Sequence, residues 1–188
     1  MNNSLVEIKK IPKGEKFIPA PLLQKLYDTI DNARDKAYIM YSAETGLRVS
    51  DVLGTHLENM DFQNMRTWTY DFKKDTWRFV YWPEKIKGTL FMWLKKRGNH
   101  EGKVFTFTPR TAQRLIKKYC KQIGFVYWEN AGPHWLRHTF IRLSRSVGRD
   151  IKSVQQNTGN TINTLLEIYA ELSPDNMKDE INKKELIK

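Results

Sequence analysis

Cys120 is the single cysteine among 188 residues. It can close no internal disulfide and cannot build a multi-cysteine zinc cluster, which suits a reducing compartment and leaves it the role of a small buried hydrophobe. No stretch approaches the ~18 uninterrupted apolar residues of a membrane span. The opening segment, MNNSLVEIKKIPKGEK, carries no apolar middle of the signal-peptide kind, so the expected location is the cytoplasm, on nucleoid or DNA, with no membrane partner. Internal repeats and low-complexity tracts are absent. Acidic side chains are outnumbered, 21 Asp+Glu against 32 Lys+Arg, for a net charge of +11. Such an excess attracts polyanions, nucleic acid first and ribosomal or anionic membrane surfaces behind it; a solvated lysine-rich surface is the bland alternative. With 40% hydrophobic and 28% charged residues the chain is too apolar for wholesale disorder, and its length is that of one ordinary domain of roughly 100–200 residues.

Residues 1–18 are polar and Lys-rich, a tail or linker stub. Pro21 then opens an apolar helical pattern of Leu22, Leu23, Leu26, Tyr27 and Ile30. A second helix spans about Ala33 to Glu44 and stops at Gly46, and a shorter one follows with Ser50 as its expected N-cap. The period then changes. RTWTYDF and WRFVYW, around the polar break Lys73-Lys74-Asp75-Thr76, alternate as a β-hairpin, with Trp68, Trp77 and Trp82 expected in the sheet core. A helix around Leu90, Trp93 and Leu94 ends at Gly98, and KVFTFT is expected as a third short strand. Thr108-Pro109 starts a helix that buries Ala112, Leu115, Ile116, Tyr119 and Ile123 and ends at Gly124. Three more helical segments cover His134 to about Ser146, Ile151 to about Thr158, and Thr161 to Ala170, and the tail from Ser173 has a weak helical signal with Met177 and Ile181 on one face. The fold class is α+β, mostly helical with a small antiparallel β-sheet.

Three segments carry chemistry. In TGLRVSDVL, residues 45–53, Arg48 follows a glycine and precedes a short helix. In PHWLRHTF, residues 133–140, helical spacing puts His134, Arg137 and His138 on one face of the first turns, where unpaired N–H groups add positive potential suited to a phosphate. In NTGNTINTLLEIYAEL, Tyr169 lies nine positions after Asn160. His134 and His138 at i, i+4 could suggest a zinc pair. No glutamate follows the first histidine and no cysteine cluster stands nearby, so no metal is expected.

The order and spacing of these segments resemble the tyrosine recombinase, or phage integrase, family, over about Pro19 to Leu172. The resemblance implies a catalytic domain at 19–172 and catalytic roles for Arg48, His134, Arg137 and Tyr169, with Tyr169 the nucleophile and Asp51 and His138 in support. It places the hairpin lysine at Lys73, because Arg78 then falls at the usual separation, with Lys74 the alternative. Asn160 stands where the family usually has a histidine or tryptophan; it can donate a hydrogen bond but cannot carry a charge. The N-terminal DNA-binding domain of the family cannot come from residues 1–18, so a catalytic fragment is expected. The C-terminal tail, 173–188, is expected to be a protomer-exchanging helix or to fold back on its own domain.

The chemistry has its own logic. Attack of a phenol on a phosphodiester gathers charge on the non-bridging oxygens, which the planar guanidinium groups of Arg48 and Arg137 can hold bidentately. A free tyrosine has a pKa of about 10, so cations and a base must help it ionise, with His134 the candidate base or hydrogen-bond partner. Lys73 can protonate the departing 5′ oxygen. The implied function is a site-specific DNA recombinase or integrase that works through a 3′-phosphotyrosine, with no cofactor, on double-stranded DNA, as a homo-oligomer (a tetramer in the synaptic complex with the full-length protein). The alternatives are a degenerate integrase that only binds DNA and a type IB topoisomerase-like enzyme.

Overall fold

The computed structural model describes residues 16–71, 75–98 and 101–170. Helix α1 (Ala20–Thr29) leads into α2 (Ala33–Thr45), whose N-cap Asn32 accepts a hydrogen bond from the Asp35 amide. From Ala37 to Thr45 every residue of α2 is buried, so it forms the axis of the main core and packs on α4 (Lys87–Arg97) and α6 (Pro133–Ser146). Two of the polar groups at its C-terminal end have partners: the Thr45 hydroxyl donates to the Tyr41 carbonyl at 2.6 Å, and the Tyr27 hydroxyl to Glu44 at 3.0 Å. Among the described residues no helix is long and apolar enough to cross a membrane.

Helix α3 (Val49–Leu53) starts two residues earlier than expected. Arg48 occupies its N-cap with extended backbone, and Ser50, inside the helix, donates to Asp51 instead. The sheet is antiparallel in the order β1 (Met60–Asp61), β2 (Arg66–Asp71), β3 (Thr76–Tyr81). β1 takes the place expected for KVFTFT. That segment forms only a single bridge, between Lys103 and His56, because its backbone is spent on neighbours that are not strands: the Val104 amide donates to Thr55, and the Val104 carbonyl accepts from the Trp93 indole. Its Phe105 and Phe107 rings pack edge-on against Tyr38.

The hairpin is inverted with respect to the simple expectation. Trp82 is buried, but Trp68 and Trp77 are 42% and 54% exposed. The inward register positions are Thr67, Thr69 and Asp71 on β2 and Arg78 and Val80 on β3. This face meets α7 (Ile151–Thr158) and lies beside Asp51 of α3, where polar groups have partners, and the aromatic rings are left to pair across the strands on the outside.

Helix α5 (Pro109–Gln122) begins as expected, with the Thr108 side chain accepting from the Thr111 amide. Helices α6, α7 and α8 (Ile162–Ala170) close the domain around a smaller core of Phe140, Ile141, Val154, Leu165 and Ile168. The tail from Ser173, with Met177 and Ile181, lies outside the described residues.

Gly46 ties the two cores together. It ends α2 with φ +66°, and a Cβ there would sit 2.4 Å from Phe140 Cδ1 of α6. Left-handed backbone is costly for residues with a Cβ, and the ring has no room to give. Gly46→Ala should therefore lose about 2 to 4 kcal/mol of stability in urea unfolding, the sum of the backbone and overpacking penalties. A loss too small to measure would mean that this turn tolerates a side chain.

Candidate active site

Arg137 is the centre of the site. It projects from the second turn of α6, is 5% exposed, and donates from Nη1 to the Gly46 carbonyl at 2.8 Å. Its Nη2 donates to the Asn160 side-chain oxygen. Two helix ends thus converge on one guanidinium, since Gly46 terminates α2 and Gly159, with φ +69°, terminates α7 just ahead of Asn160. Arg48 follows the Gly46 turn. Leu47 is anchored in the core and Arg48 takes the N-cap of α3, half-buried, with no hydrogen bond or ion pair engaging its guanidinium among the described residues.

Beside Arg137 stand Arg48 and Arg78, with the carboxylates of Asp51 and Asp71. Burial, helped by the charge of Arg48, lowers the Arg137 guanidinium to about 10, so it stays cationic at neutral pH. Three guanidinium groups against two carboxylates leave a surplus positive charge in the cluster. A single phosphodiester would neutralise it.

His134 and His138 lie with ring centroids 4.5 Å apart, edge to face, on the same face of α6. Partial desolvation first, then the charges of Arg137, Lys16 and Arg48, lowers the pKa of His134, whose side chain still reaches solvent, which favours a neutral ring able to accept a proton. His138 is pushed down to about 4 by burial and by His134, Arg142, Arg137 and Lys16. Among the described residues no group of three or more His, Cys, Asp or Glu side chains is placed to hold a metal.

Tyr169 is set apart from this cluster. It packs on the smaller core, and its hydroxyl is buried without a hydrogen-bond partner. Arg145 lies over the ring, 5.1 Å from its centroid, and donates to the Tyr169 carbonyl. Burial raises the phenol pKa; Arg145 opposes that rise and Asp150 adds to it, and neither Arg48 nor Arg137 acts on it. The structure therefore brings together Arg48, Asp51, His134, Arg137, His138 and Asn160, and holds Tyr169 among α6, α7 and α8. Lys73 and Lys74 lie outside the described residues.

The sequence points to Arg78 only through its separation from Lys73, and to Asp71 not at all. Both prove to be buried at the site. The signal available was their position: on alternating strands they share the face of Thr67, Thr69 and Val80, so one inward residue brings the rest inward with it.

The signature described as the phage integrase family matches residues 16–176. The chain belongs to that family, the tyrosine recombinases. Among similar family members, the tyrosine recombinase XerA of Pyrococcus horikoshii is 27% identical over 98% of this chain and 68% of its own length. The tyrosine recombinase XerC of Thermodesulfovibrio yellowstonii is 30% identical over 88% of this chain and 60% of its own. A crystal structure of XerA recombinase shares the fold with a TM-score of 0.78 at 24% identity, covering 89% of this chain and 64% of that one. The XerH site-specific recombinase, in a pre-cleavage complex with its difH substrate, gives 0.71 at 21% identity over 87% and 52%. The chain thus spans about half to two thirds of the length of the recombinases it matches.

The histidine pair makes stability depend on pH. An unfolded imidazole takes up its proton near 6.5 and His138 in the fold only near 4, so between those values the unfolded chain holds more protons and the fold weakens as pH falls. Above about pH 6.5 neither state is charged and the effect is absent. His138→Gln, which cannot titrate, should flatten the decline in unfolding free energy between pH 6.5 and 4 relative to the native chain. Parallel curves for the two proteins would show that the fold does not hold His138 neutral.

Proposed function

We propose that this chain is the catalytic domain of a site-specific DNA recombinase, or integrase, that cleaves and rejoins DNA strands through a 3′-phosphotyrosine. The observation that supports it most strongly is the surplus positive charge where Arg48 and Arg137 meet beside a neutral His134. A phosphodiester seated there would place its non-bridging oxygens against the Arg137 guanidinium, already held in position by the fold, and against that of Arg48, so their stabilisation grows as charge develops in attack. These cations take the electrostatic part that a metal plays in other phosphoryl transfers, and the reading requires no cofactor.

In the proposed reaction the Tyr169 hydroxyl gives its proton to His134 as its oxygen bonds to phosphorus. The bond from phosphorus to the 5′ oxygen breaks, and that oxygen takes a proton from the hairpin lysine, Lys73 or Lys74. Attack by a 5′-hydroxyl on the phosphotyrosine reverses each step and reseals a strand, so the bond energy is conserved without a nucleotide. Tyr169 must first leave its place beside Arg145, which makes movement of α8 a step before chemistry. Asn160 spends its side-chain oxygen on Arg137 and keeps its amide NH2 as a donor for the phosphate. Double-stranded DNA is the proposed partner. The full-length protein is proposed to act as a tetramer in the synapse, in the cytoplasm on DNA, with residues 173–188 passing between protomers.

A duplex nicked close to the cleavage point traps the covalent adduct. Native protein should form it. Tyr169→Phe should bind the duplex without becoming linked, and continued linkage would assign the nucleophile elsewhere. Arg48→Lys and Arg137→Lys keep the charge but lose the forked donors, and each should slow adduct formation by about 10²-fold or more. Cleavage close to native by either one would place that arginine outside the site. A protein that only binds DNA gives no adduct in any form, and a topoisomerase relaxes supercoils without joining two sites.

A further inference from the structure

Strand β3 turns Arg78 inward, opposite Thr69, where it is 9% exposed. One arm of its guanidinium is hydrogen-bonded, and the others face carboxylates at longer range. Nη1 donates to the carbonyls of Gln156 and Asn157, at 2.7 and 2.6 Å, in the last turn of α7. Nη2 lies 4.0 Å from Asp51 of α3, and Nε 4.0 Å from Asp71 of β2. Gly159 passes directly over this group: a Cβ there would stand 2.9 Å from Asp71 Oδ2 and 3.2 Å from Arg78 Nε. Further bonds run alongside. The Asn157 side chain accepts from the Tyr81 amide at 3.0 Å and donates to the Tyr81 carbonyl at 2.7 Å, and Gln156 Nε2 donates to the Phe79 carbonyl at 3.2 Å.

Stability alone gives a poor account of such a group. A buried cation pays a desolvation penalty that its partners at 4.0 Å only partly offset, and well-packed apolar residues often serve a core as well or better. What Arg78 supplies is geometry. It joins the last turn of α7, just before Gly159 and Asn160, to the two strands that flank Lys73 and Lys74 in the sequence. Asn160 in turn touches Arg137.

We propose that Arg78 is a positioning residue: it locks the β2–β3 hairpin to the Gly159-Asn160 turn, so that the lysine of the hairpin and the arginines of the phosphate site act on the same phosphate. This rests on the recombinase reading above. It assigns Arg78 no contact with DNA, because the guanidinium is buried beneath Gly159 and held from Nη1 by two carbonyls of the protein.

The role has a chemical signature. A lysine that is misplaced fails to protonate the departing 5′ oxygen, but a departing sulfur needs no proton, since a thiolate is a far weaker base than an alkoxide. Two nicked duplexes decide the matter, one ordinary and one with sulfur in place of the bridging 5′ oxygen at the scissile phosphate. Arg78→Lys keeps the buried charge but not the forked donors. It should slow adduct formation on the oxygen substrate by about 10²-fold, the scale of a displacement near 1 Å. On the sulfur substrate it should match the native chain, the pattern also expected of Lys73→Ala or Lys74→Ala. Asn157→Ala, which leaves Arg78 intact and cuts the neighbouring link to Tyr81, should show the same pattern more weakly, and carries the test if Arg78→Lys does not fold. Equal impairment on both substrates, or none on the oxygen substrate, would overturn the positioning role. If the native protein forms adduct with neither duplex, it is the recombinase reading that fails.

Discussion

A guanidinium cannot be buried without partners, and the burial of Arg137 organises the domain around that requirement. Its donors need a carbonyl and a side-chain oxygen deep in the protein, and two helix ends provide them. Helix α2 must stop where the Gly46 carbonyl can turn toward α6, and α7 must stop where Asn160 can reach the same group. Both stops are left-handed glycines in close quarters, Gly46 against Phe140 and Gly159 against Asp71 and Arg78. Thr45 and Thr158, fully buried just ahead of these glycines, return their hydroxyls to their own helices and leave no orphaned donor.

The same requirement explains the inverted hairpin. A sheet packed on a purely apolar core would bury its tryptophans, whereas this one faces the ends of α3 and α7, where carbonyls and carboxylates call for hydrogen bonds. Thr67 therefore takes bonds from the Tyr41 hydroxyl and the Trp82 indole, and Arg78 closes the end of α7. The displaced rings form a ladder on the outer surface. Trp68 lies 3.8 Å from Phe79 between ring centroids, Tyr70 pairs with Trp77, and the Arg66 guanidinium covers Phe79 at 4.2 Å. The hairpin thus has a charged inner face that can fix position and an aromatic outer face that holds its strands together.

The two cores divide the labour. Arg48, Arg137 and the histidines are borne by elements of the large core, and Tyr169 by a helix packed on a cluster of five buried residues. Elements with few buried contacts are those whose displacement costs least. The groups proposed to hold the phosphate accordingly stand on the larger core, while the proposed nucleophile sits on the smaller one.

Most of the helices, the hairpin and the three chemical segments could be read from local pattern, because caps, glycine stops and periodicity act within a few residues. The spacing His134-x-x-Arg137 puts both side chains on one helical face whatever the rest of the chain does. The glycine before Arg48 likewise ends a helix in any context. Which face of the hairpin turns inward was a different matter: alternation alone is symmetric, and the choice fell to what waited on the other side, a polar junction and not an apolar one. KVFTFT has the composition of a strand, but its amides and carbonyls found partners in a loop and an indole, so pattern yielded to contact. The neutral state of His138, the pairing of Asn160 with Arg137 and the separation of Tyr169 from the arginines depend on charges and burial contributed by residues distant in sequence. No window along the chain contains them, and only the packing of α6 against α2, α7 and α8 brings them together.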